Sequence, residues 1–263
     1  MKHSELRAKY NPDGSTLRKA QLRMLEMLKF IDKICLDNNL TYWLDSGTLL
    51  GAARHHGFIP WDDDADICMP YEDATKFKQI MLHNNPSNEF VLQCNETDSN
   101  YLESWFVLRD LKSEYLQDSH IHQLRKYRGL QVDIFPLENT IRPFLFKFCS
   151  RYQAHLIDGL LLKNNIFAKT ISKLSYHLLH KLFIPFFRIY KRHNSYYNMC
   201  YGCTFISKRF LSDIYPIKRM KFEGFNFNVP NNYNGYLNKI YKNWKSIPDK
   251  IETHNVVIIF KDL

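Results

Sequence analysis

Four aspartates occupy five consecutive positions in a stretch that is apolar on both sides. Apolar flanks of this kind belong in a protein core, so they favour a buried element over a solvated acidic loop. The pattern predicts a strand over Asp62–Met69, in which alternate side chains share a face. Asp62, Asp64 and Asp66 then point the same way, and the fold must hold several carboxylates close together.

Carboxylates that share one face repel one another unless they are protonated or hold a cation. Oxygen-rich sites of this kind suit Mg²⁺ or Mn²⁺. A further isolated acid, Asp133, lies in the apolar run Leu130–Phe135, where an ionised carboxylate needs a cationic partner. The sequence therefore predicts a metal centre. A solvated acidic loop, and an arginine ion pair for Asp133, are the alternatives.

A turn precedes the acidic strand. Asp45–Thr48 follows the short predicted strand Leu40–Leu44 and leads into a predicted helix, Thr48–His56. Free backbone N–H groups at the start of a helix bind anions. A phosphate-binding turn close to a metal centre is typical of enzymes that transfer phosphorylated groups.

Three segments resemble the LicD/fukutin-related family of phosphotransferases. The first is Trp43–Ile67, which reads WLDSGTLLGAARHHGFIPWDDDADI, the second is Gly129–Leu137, and the third begins at Phe222. The resemblance implies a nucleotidyltransferase-type fold. It also implies transfer of a phosphorylated alcohol (phosphocholine foremost, or ribitol or glycerol phosphate) from a CDP-activated donor to a bacterial cell-surface glycan, with release of CMP.

The same resemblance implies the functional residues. Asp64 and Asp66 match the metal ligands, Asp62 matches a further acid near the metal, and Asp133 matches a third carboxylate that acts as ligand or base. The residues matched to phosphate and donor binding are Ser46, Gly47, Thr48 and His55, and Arg54 is matched as a catalytic residue that stabilises the phosphates. Arg109 stands where the family pattern has Lys, and we expect it to contact the donor. The implied reaction is in-line attack by a glycan hydroxyl on the β-phosphorus of the donor.

The order of the predicted elements favours an α+β fold, with a mixed sheet flanked by helices. The predicted helices are Leu17–Asn38, Thr48–His56, closed by Gly57, Tyr71–His83 and Tyr233–Tyr241. Beyond the two strands above, the predicted strands are Phe90–Cys94, Trp105–Leu108 and Leu130–Phe135, with a final apolar run at Val256–Phe260. Helical periodicity from Phe144 to Tyr197 is interrupted by Pro185, which we expect to kink or end a helix.

These elements predict three segments. Residues 1–140 form the catalytic core, residues 141–221 a basic and mostly helical region, and residues 222–263 a C-terminal segment that packs back on the core. The middle segment carries fifteen Lys/Arg against Asp158 and Asp213, a net charge of +13, whereas the whole chain carries +9. A charge distribution this uneven indicates an anionic partner.

The middle segment is also rich in Phe, Leu and Ile. A basic, apolar and amphipathic composition is typical of membrane-interfacial segments. We therefore expect an anionic membrane surface as a partner, together with a lipid-linked glycan acceptor. A solvated helical face is the simpler alternative.

Three features of the sequence predict the cellular compartment of the protein. No apolar stretch reaches the ~20 residues that cross a bilayer, and the N-terminus has no signal-peptide pattern. Six cysteines without dense spacing indicate reduced thiols, and Cys200 and Cys203 are interpreted as packed thiols rather than half a zinc site. These features predict a cytoplasmic enzyme, peripheral at the inner face of the cell membrane.

Two other functions remain open from the residues. One is a nucleotidyltransferase that uses an NTP and releases pyrophosphate. The other is a basic membrane- or nucleic-acid-binding module with a structural ion, although no RNA- or DNA-binding motif is present and a nucleic-acid partner is not expected. If choline is transferred, its ammonium group needs aromatic faces, for which Trp43, Trp61 and Trp105 are the candidates.

Overall fold

A computed structural model describes residues 3–163, 165–189, 193–205, 207–248, 250–251 and 256–261. The helices are α1 (His3–Tyr10), α2 (Thr16–Asp37), α3 (Ser46–His55), α4 (Tyr71–His83), α5 (His120–Leu124), α6 (Pro143–Tyr152), α7 (Gly159–Leu161), α8 (Ile166–Leu178), α9 (Ile184–Ile189), α10 (Leu211–Ile214) and α11 (Tyr233–Ile240). The strands are β1 (Trp43–Leu44), β2 (Asp66–Pro70), β3 (Phe90–Gln93), β4 (Phe106–Asp110), β5 (Ser113–Gln117), β6 (Gln131–Glu138), β7 (Tyr196–Met199), β8 (Lys208–Phe210), β9 (Lys218–Phe222), β10 (Phe225–Val229) and β11 (Val256–Phe260).

A mixed sheet runs through the molecule in the order β1-β2-β6-β4-β3, and β7 and β8 extend it from β6. Strands β2 and β6 are parallel, and the other pairs in this sheet are antiparallel. The α+β class with a mixed sheet is therefore confirmed. The nucleotidyltransferase-type topology and the three segments stay predictions, and β7 and β8 of the basic segment belong to the central sheet.

The predicted amphipathic helix Leu17–Asn38 corresponds to α2. Ser15 caps its first turn by accepting a hydrogen bond from the Arg18 N–H at 3.2 Å. The apolar residues that recur at three-and-four spacing, among them Met24, Leu28 and Ile31, are buried. The helix thus covers the core with the stripe that its sequence predicts.

The acidic strand begins later than predicted. Strand β2 starts at Asp66, and residues 62–65 are not part of a strand. The Asp133 N–H donates a hydrogen bond to the Ala65 carbonyl at 2.8 Å, directly before the ladder begins. The predicted cap of α3 is also shifted. His56, rather than Gly57, adopts the left-handed conformation, with φ of 57°.

Several strands were not predicted. β9 and β10 form a hairpin whose two turn residues, Glu223 and Gly224, have φ of 50° and 83°. Positive φ at both positions matches the right-handed twist of the strands. Strand β5 was also not predicted from the apolar pattern. It pairs with β11, near the end of the chain.

The middle segment contains two long helical stretches with π-helical turns inside them, at Gln153–Asp158 and Leu179–Phe183. Pro185 follows the second π turn and does not end the helix, which continues to Ile189. A π turn widens the backbone spacing and accommodates the missing N–H and the ring of proline. Among the described residues, no helix is long and apolar enough to cross a bilayer.

Candidate active site

The parallel pairing of β2 and β6 brings two predicted site residues together. Asp66 and Asp133 are direct partners in the register, so their Cα atoms are separated by the strand spacing of ~4.8 Å. Among the described residues no lysine or arginine forms an ion pair with either carboxylate. Gln131 donates a hydrogen bond to Asp133 at 3.2 Å.

The three acids before β2 form a second group. Asp62, Asp63 and Asp64 each offer one carboxylate oxygen, and these oxygens lie within 4.8 Å of one another. Asp63 is buried and accepts a hydrogen bond from the Tyr115 hydroxyl at 3.0 Å, whereas Asp62 and Asp64 are partly exposed. Burial alternates along these residues, but the Asp63 carboxylate lies close to those of Asp62 and Asp64 instead of on the opposite face.

The carboxylates perturb one another. Burial, followed by the charge of Asp64, raises the pKa of Asp62 and the pKa of Asp66 well above their ordinary value. Burial also raises the pKa of Asp133 to about 6, against the opposing charge of Arg109 and with a further contribution from Asp64. The charge of Asp64 thus contributes to all three pKa shifts. Asp64 therefore couples the acids before β2 to the Asp66–Asp133 pair.

The predicted phosphate-binding turn lies beside these acids. A Cβ added to Gly47 would come within 2.8 Å of the Asp62 Oδ2, so a larger residue here would require the Asp62 carboxylate to shift. Thr48 has a structural contact, because its Oγ1 accepts a hydrogen bond from the Asp66 N–H at 2.8 Å. Ser46 has φ of 45° and donates its hydroxyl to Asp45.

Asp45 was interpreted only as part of a turn, and the structure shows it to be the fully buried anchor of this turn. Its carboxylate forms a two-point ion pair with Arg209, with nitrogen–oxygen distances of 2.7 and 3.0 Å. Tyr236 donates its hydroxyl to the same carboxylate at 2.5 Å and accepts a hydrogen bond from the Trp43 indole at 2.8 Å. This network ties β8 and α11 to the strand that precedes the site.

The Arg54–His55 pair holds the C-terminal segment against the site. Arg54 donates to the His55 Nε2 at 2.9 Å and to the carbonyls of Trp244 and Ser246, each at 2.8 Å. Burial lowers the pKa of Arg54, and the charge of Asp62 opposes that shift. Arg54 is therefore both a positive charge near the acids and a clamp on the tail.

A cavity of about 720 Å³ opens between residues 47–62, which include the turn and Arg54, and residues 240–248 of the C-terminal segment. This volume is within the usual range for small-molecule sites. The Trp244 indole N–H is buried and has no acceptor among the residues that the structure describes. The residues that line the cavity include Gly47, Arg54, Trp61, Asp62, Tyr241 and Trp244.

Trp43, Trp61 and Trp105 differ in their environments. Trp43 is fully buried in the core, whereas Trp61 lines the cavity. Trp105 hydrogen bonds to Asp133 and packs against Phe135 and Phe205, at ring-centroid distances of 5.8 and 5.5 Å. Trp61 therefore lines the cavity, Trp105 lies near Asp133 and outside the cavity lining, and Trp43 is a packing residue.

Arg109 is fully buried in β4. It donates to Gln93 at 2.8 Å and to the Gly129 carbonyl at 3.0 Å, while its Nη2 has no partner among the described residues. It does not line the cavity that contains Arg54. Its charge acts on Asp133, and a role in donor binding stays a prediction.

The six cysteines are all buried free thiols. Cys200 donates to the Ser104 carbonyl, with a sulfur–oxygen distance of 3.2 Å, and burial raises the pKa of both Cys200 and Cys203. Within the described part of the chain, neither thiol belongs to a cluster that could hold a metal ion. The CxxC spacing here is a packing feature. His254, which lies near a histidine of the family pattern, falls outside the described residues.

Part of the chain is similar in sequence to known proteins. Residues 39–155 match the family model described as LicD/FKTN/FKRP, nucleotidyltransferase domain. An uncharacterised protein of Rickettsia typhi is 29% identical over 166 residues, which is 56% of this chain and 54% of that protein, so the chain spans about half the length of that relative. The lipopolysaccharide cholinephosphotransferase LicD of Haemophilus influenzae is 25% identical over 256 residues, covering 89% of this chain and 92% of that protein.

A human relative matches a shorter stretch. The ribitol 5-phosphate transferase FKRP is 38% identical over 55 residues, which is 21% of this chain and 11% of that protein. The family match contains the turn, the acidic run and Asp133 in one continuous stretch. Residues 39–155 thus match the LicD/FKTN/FKRP family model, and the chain is homologous to LicD and FKRP.

Proposed function

We propose that this protein transfers a phosphorylated alcohol from a CDP-activated donor to a hydroxyl of a bacterial cell-surface glycan, such as lipopolysaccharide, capsule or teichoic acid. The observation that carries the proposal is the register pairing of Asp66 with Asp133, close in sequence to Asp62, which lines the cavity together with Gly47 and Arg54. Phosphocholine is the first choice for the transferred group, because the relative that covers most of this chain is a cholinephosphotransferase. Ribitol phosphate is the second.

The acidic residues fit a divalent cation. Oxygens of Asp62, Asp63 and Asp64 already lie within 4.8 Å of one another, and the neighbouring carboxylates raise the pKa of Asp66. A hard ion with oxygen ligands relieves such repulsion, and Mg²⁺ or Mn²⁺ suits this set of donors. We assign Asp62, Asp64, Asp66 and Asp133 as the residues that hold the cation. Asp63 accepts a hydrogen bond from Tyr115 and stabilises the position of its neighbours.

We assign the cavity to the donor. Arg54 is a cation on its wall, and the Trp244 indole N–H offers a hydrogen bond without an acceptor among the described residues. Gly47 lets the Asp62 carboxylate approach closely, and a Cβ there would come within 2.8 Å of its Oδ2. A negatively charged diphosphate suits this combination of a cation, free N–H donors and a helix N-terminus.

The reaction that we propose is a displacement at the β-phosphorus. The acceptor hydroxyl forms a new oxygen–phosphorus bond, the bond from phosphorus to the bridging oxygen breaks, and CMP leaves. Asp133 receives the hydroxyl proton or orients the hydroxyl. Arg54 holds the diphosphate, and a bound divalent cation would supply charge neutralisation of the leaving phosphate.

We assign the acceptor to the surroundings of Trp105, which does not line the donor cavity. Trp105 touches Asp133 and forms an aromatic group with Phe135 and Phe205. Aromatic side chains combine a broad apolar face with a polar edge, and they suit the apolar faces of sugar rings. We propose a cytoplasmic reaction, with soluble donor in the cavity and a lipid-linked glycan next to Trp105.

The products separate this proposal from its alternatives. The purified chain is incubated with Mg²⁺ and, in parallel, CDP-choline, CDP-ribitol, CDP-glycerol and CTP. The proposal expects CMP from one of the CDP-alcohols and no pyrophosphate from CTP. Pyrophosphate from CTP would make the protein a nucleotidyltransferase, and the absence of turnover with every donor would leave a binding module.

A further inference from the structure

The long helix formed by α8, the π turn at Leu179–Phe183 and α9 is apolar on two faces. One face is buried and includes Ala168, Tyr176 and Leu179. The other faces solvent, and Phe167 and Leu174 are 74% and 68% exposed. The exposed apolar residues recur every three or four positions along the helix, at Phe167, Ile171, Leu174, Leu178, Leu182 and Phe186.

This spacing keeps the exposed residues on one side of the helix. At 1.5 Å per residue the stripe is roughly 30 Å long. Single exposed apolar side chains are normal on a protein surface, whereas a continuous stripe of this length marks an interaction surface.

Helix α6 extends the same surface. Phe144, Phe148 and Leu156 are exposed, and they alternate with Lys147 and Arg151 around a groove of about 550 Å³. We call the exposed stripe and this groove together the basic apolar face.

Aromatic contacts join the two parts of the face. Phe148 of α6 packs against Phe183 and Phe187, at ring-centroid distances of 6.2 and 6.0 Å. The exposed residues therefore belong to one surface built on two packed helices.

The charge on this face has one sign. Between residues 139 and 212, Asp158 is the sole carboxylate in the sequence, and it accepts a hydrogen bond from Gln153 rather than balancing a cation of the face. Among the described residues, no carboxylate forms an ion pair with Lys147 or Arg151. The face combines apolar side chains with uncompensated positive charge.

We infer that the basic apolar face docks on an anionic lipid bilayer surface. Lipid headgroups supply the missing negative charge, and the apolar side chains enter the interfacial layer beneath them. A second copy of this chain fits less well, because a two-fold interface would bring Lys147 and Arg151 against their own counterparts without a carboxylate between them. The inference needs neither a donor nor a metal, so it stands or falls separately from the proposed reaction.

Three other cations of the middle segment, Arg188, Lys191 and Arg192, are not used to test the face. Arg188 is not available, because it forms an ion pair with the buried Glu138 at 2.6 Å and stacks on Tyr71, with its guanidinium 3.8 Å from the ring centroid. Lys191 and Arg192 lie outside the described residues. Lys147 and Arg151 are the cations that test the face.

The test measures co-sedimentation of the full chain with vesicles. One set is phosphatidylcholine alone, and the other contains about one third phosphatidylglycerol, whose charge attracts basic residues. The double variant Lys147→Glu, Arg151→Glu probes the charges, and Phe144→Ser with Leu174→Ser probes the apolar side chains. Matched controls on other surfaces are Lys218→Glu with Lys221→Glu, and Leu36→Ser.

We expect binding to the anionic vesicles only, and a steep fall in binding as the salt rises from about 0.1 M to about 1 M. Each probe variant should weaken the partition coefficient by roughly tenfold or more, while the controls bind like the wild type. Absence of binding to anionic vesicles, or equal loss in the control variants, would overturn the inference. A dimer in solution that Phe144→Ser with Leu174→Ser converts to a monomer would assign the face to a second copy instead.

Discussion

Asp45 and Arg209 form a buried two-point ion pair between segments that are 164 residues apart in the sequence. Burial alone would raise the pKa of Asp45, but the charge and hydrogen bonds of Arg209, together with Tyr236, hold it below its ordinary value. The pair positions the start of α3, and with it the turn that approaches Asp62.

We expect Asp45→Asn to lower the free energy of unfolding by about 3 to 5 kcal/mol, because it leaves Arg209 buried without a counter-charge. Urea denaturation measures this loss, with the exposed Asp118→Asn as the matched control. A double variant, Asp45→Leu with Arg209→Met, should recover part of the stability, because it removes both buried charges. A loss under about 1 kcal/mol in Asp45→Asn would show that the pair is not the anchor.

The acidic cluster predicts how the protein responds to metal. Mg²⁺ at about one hundred times its dissociation constant should stabilise the wild type by about 2.7 kcal/mol and raise Tm by about 5 to 10 °C. Asp64→Asn and Asp66→Asn should lose this shift. Without metal both variants should be at least as stable as the wild type, because each substitution removes a repelling charge.

Thermal denaturation with and without Mg²⁺ measures both effects, and Asp118→Asn again serves as the control. An undiminished Mg²⁺ shift in Asp64→Asn would move the metal away from these residues. Melting at much lower temperature without metal would instead give Asp64 a structural role.

Of the three tryptophans proposed to contact choline, Trp61 is the one that lines the proposed donor cavity, so it tests the choline assignment. If the donor is CDP-choline, Trp61→Leu should raise its KM by roughly 2- to 30-fold, which corresponds to a cation–π contribution of ~0.5–2 kcal/mol. The KM for CDP-glycerol, which has no quaternary ammonium, is the internal control. An equal change in KM for both donors would show that Trp61 contributes packing alone. A polyol phosphate would then replace phosphocholine as the preferred candidate for the transferred group.

His122 predicts part of the acid sensitivity. Burial, followed by the charges of Arg109, Arg125 and Arg128, lowers the pKa of His122 from 6.5 to about 4. The neutral ring therefore contributes its full stability above pH 6.5, and the contribution is lost as the pH falls towards 4. Between pH 7 and pH 5 the loss is about 2 kcal/mol.

His122→Leu should remove that loss, so its unfolding free energy should fall less than that of the wild type between the two pH values. Denaturation curves at both pH values give the difference, and the exposed His83→Leu is the control. Parallel behaviour of His122→Leu and the wild type would mean that the ring is hydrated in the folded protein.

Local patterns predicted the elements with a single apolar stripe. Helices α2, α4 and α11 follow from residue spacing, and α4 has the predicted bounds Tyr71–His83. The hairpin of β9 and β10 was not predicted, because the sequence of β9, KRMKF, is mostly charged and has few apolar side chains. Its stability depends on pairing and on a turn with two positive φ values, which hydrophobic periodicity does not report.

The site was predicted where its residues are close in sequence or form an unusual pattern. Asp62, Asp64 and Asp66 are conspicuous as acids between apolar flanks, and Asp133 as an acid in an apolar strand. Arg209 and Tyr236 could not be predicted, because their role depends on long-range packing against Asp45. The one local signal was Asp45 itself, a carboxylate directly after the buried residues of β1.

The most direct test follows CMP and phosphodiester formation together. Wild-type protein is incubated with CDP-choline, Mg²⁺ and surface glycan extracted from the organism that encodes this chain. We expect one CMP for each new phosphodiester on the glycan, with the rate reduced by at least ~100-fold in Asp64→Asn and in Asp133→Asn, and unchanged in Asp118→Asn. Near-normal transfer by a folded Asp64→Asn protein at saturating Mg²⁺ would contradict the assignment of these carboxylates as the catalytic centre.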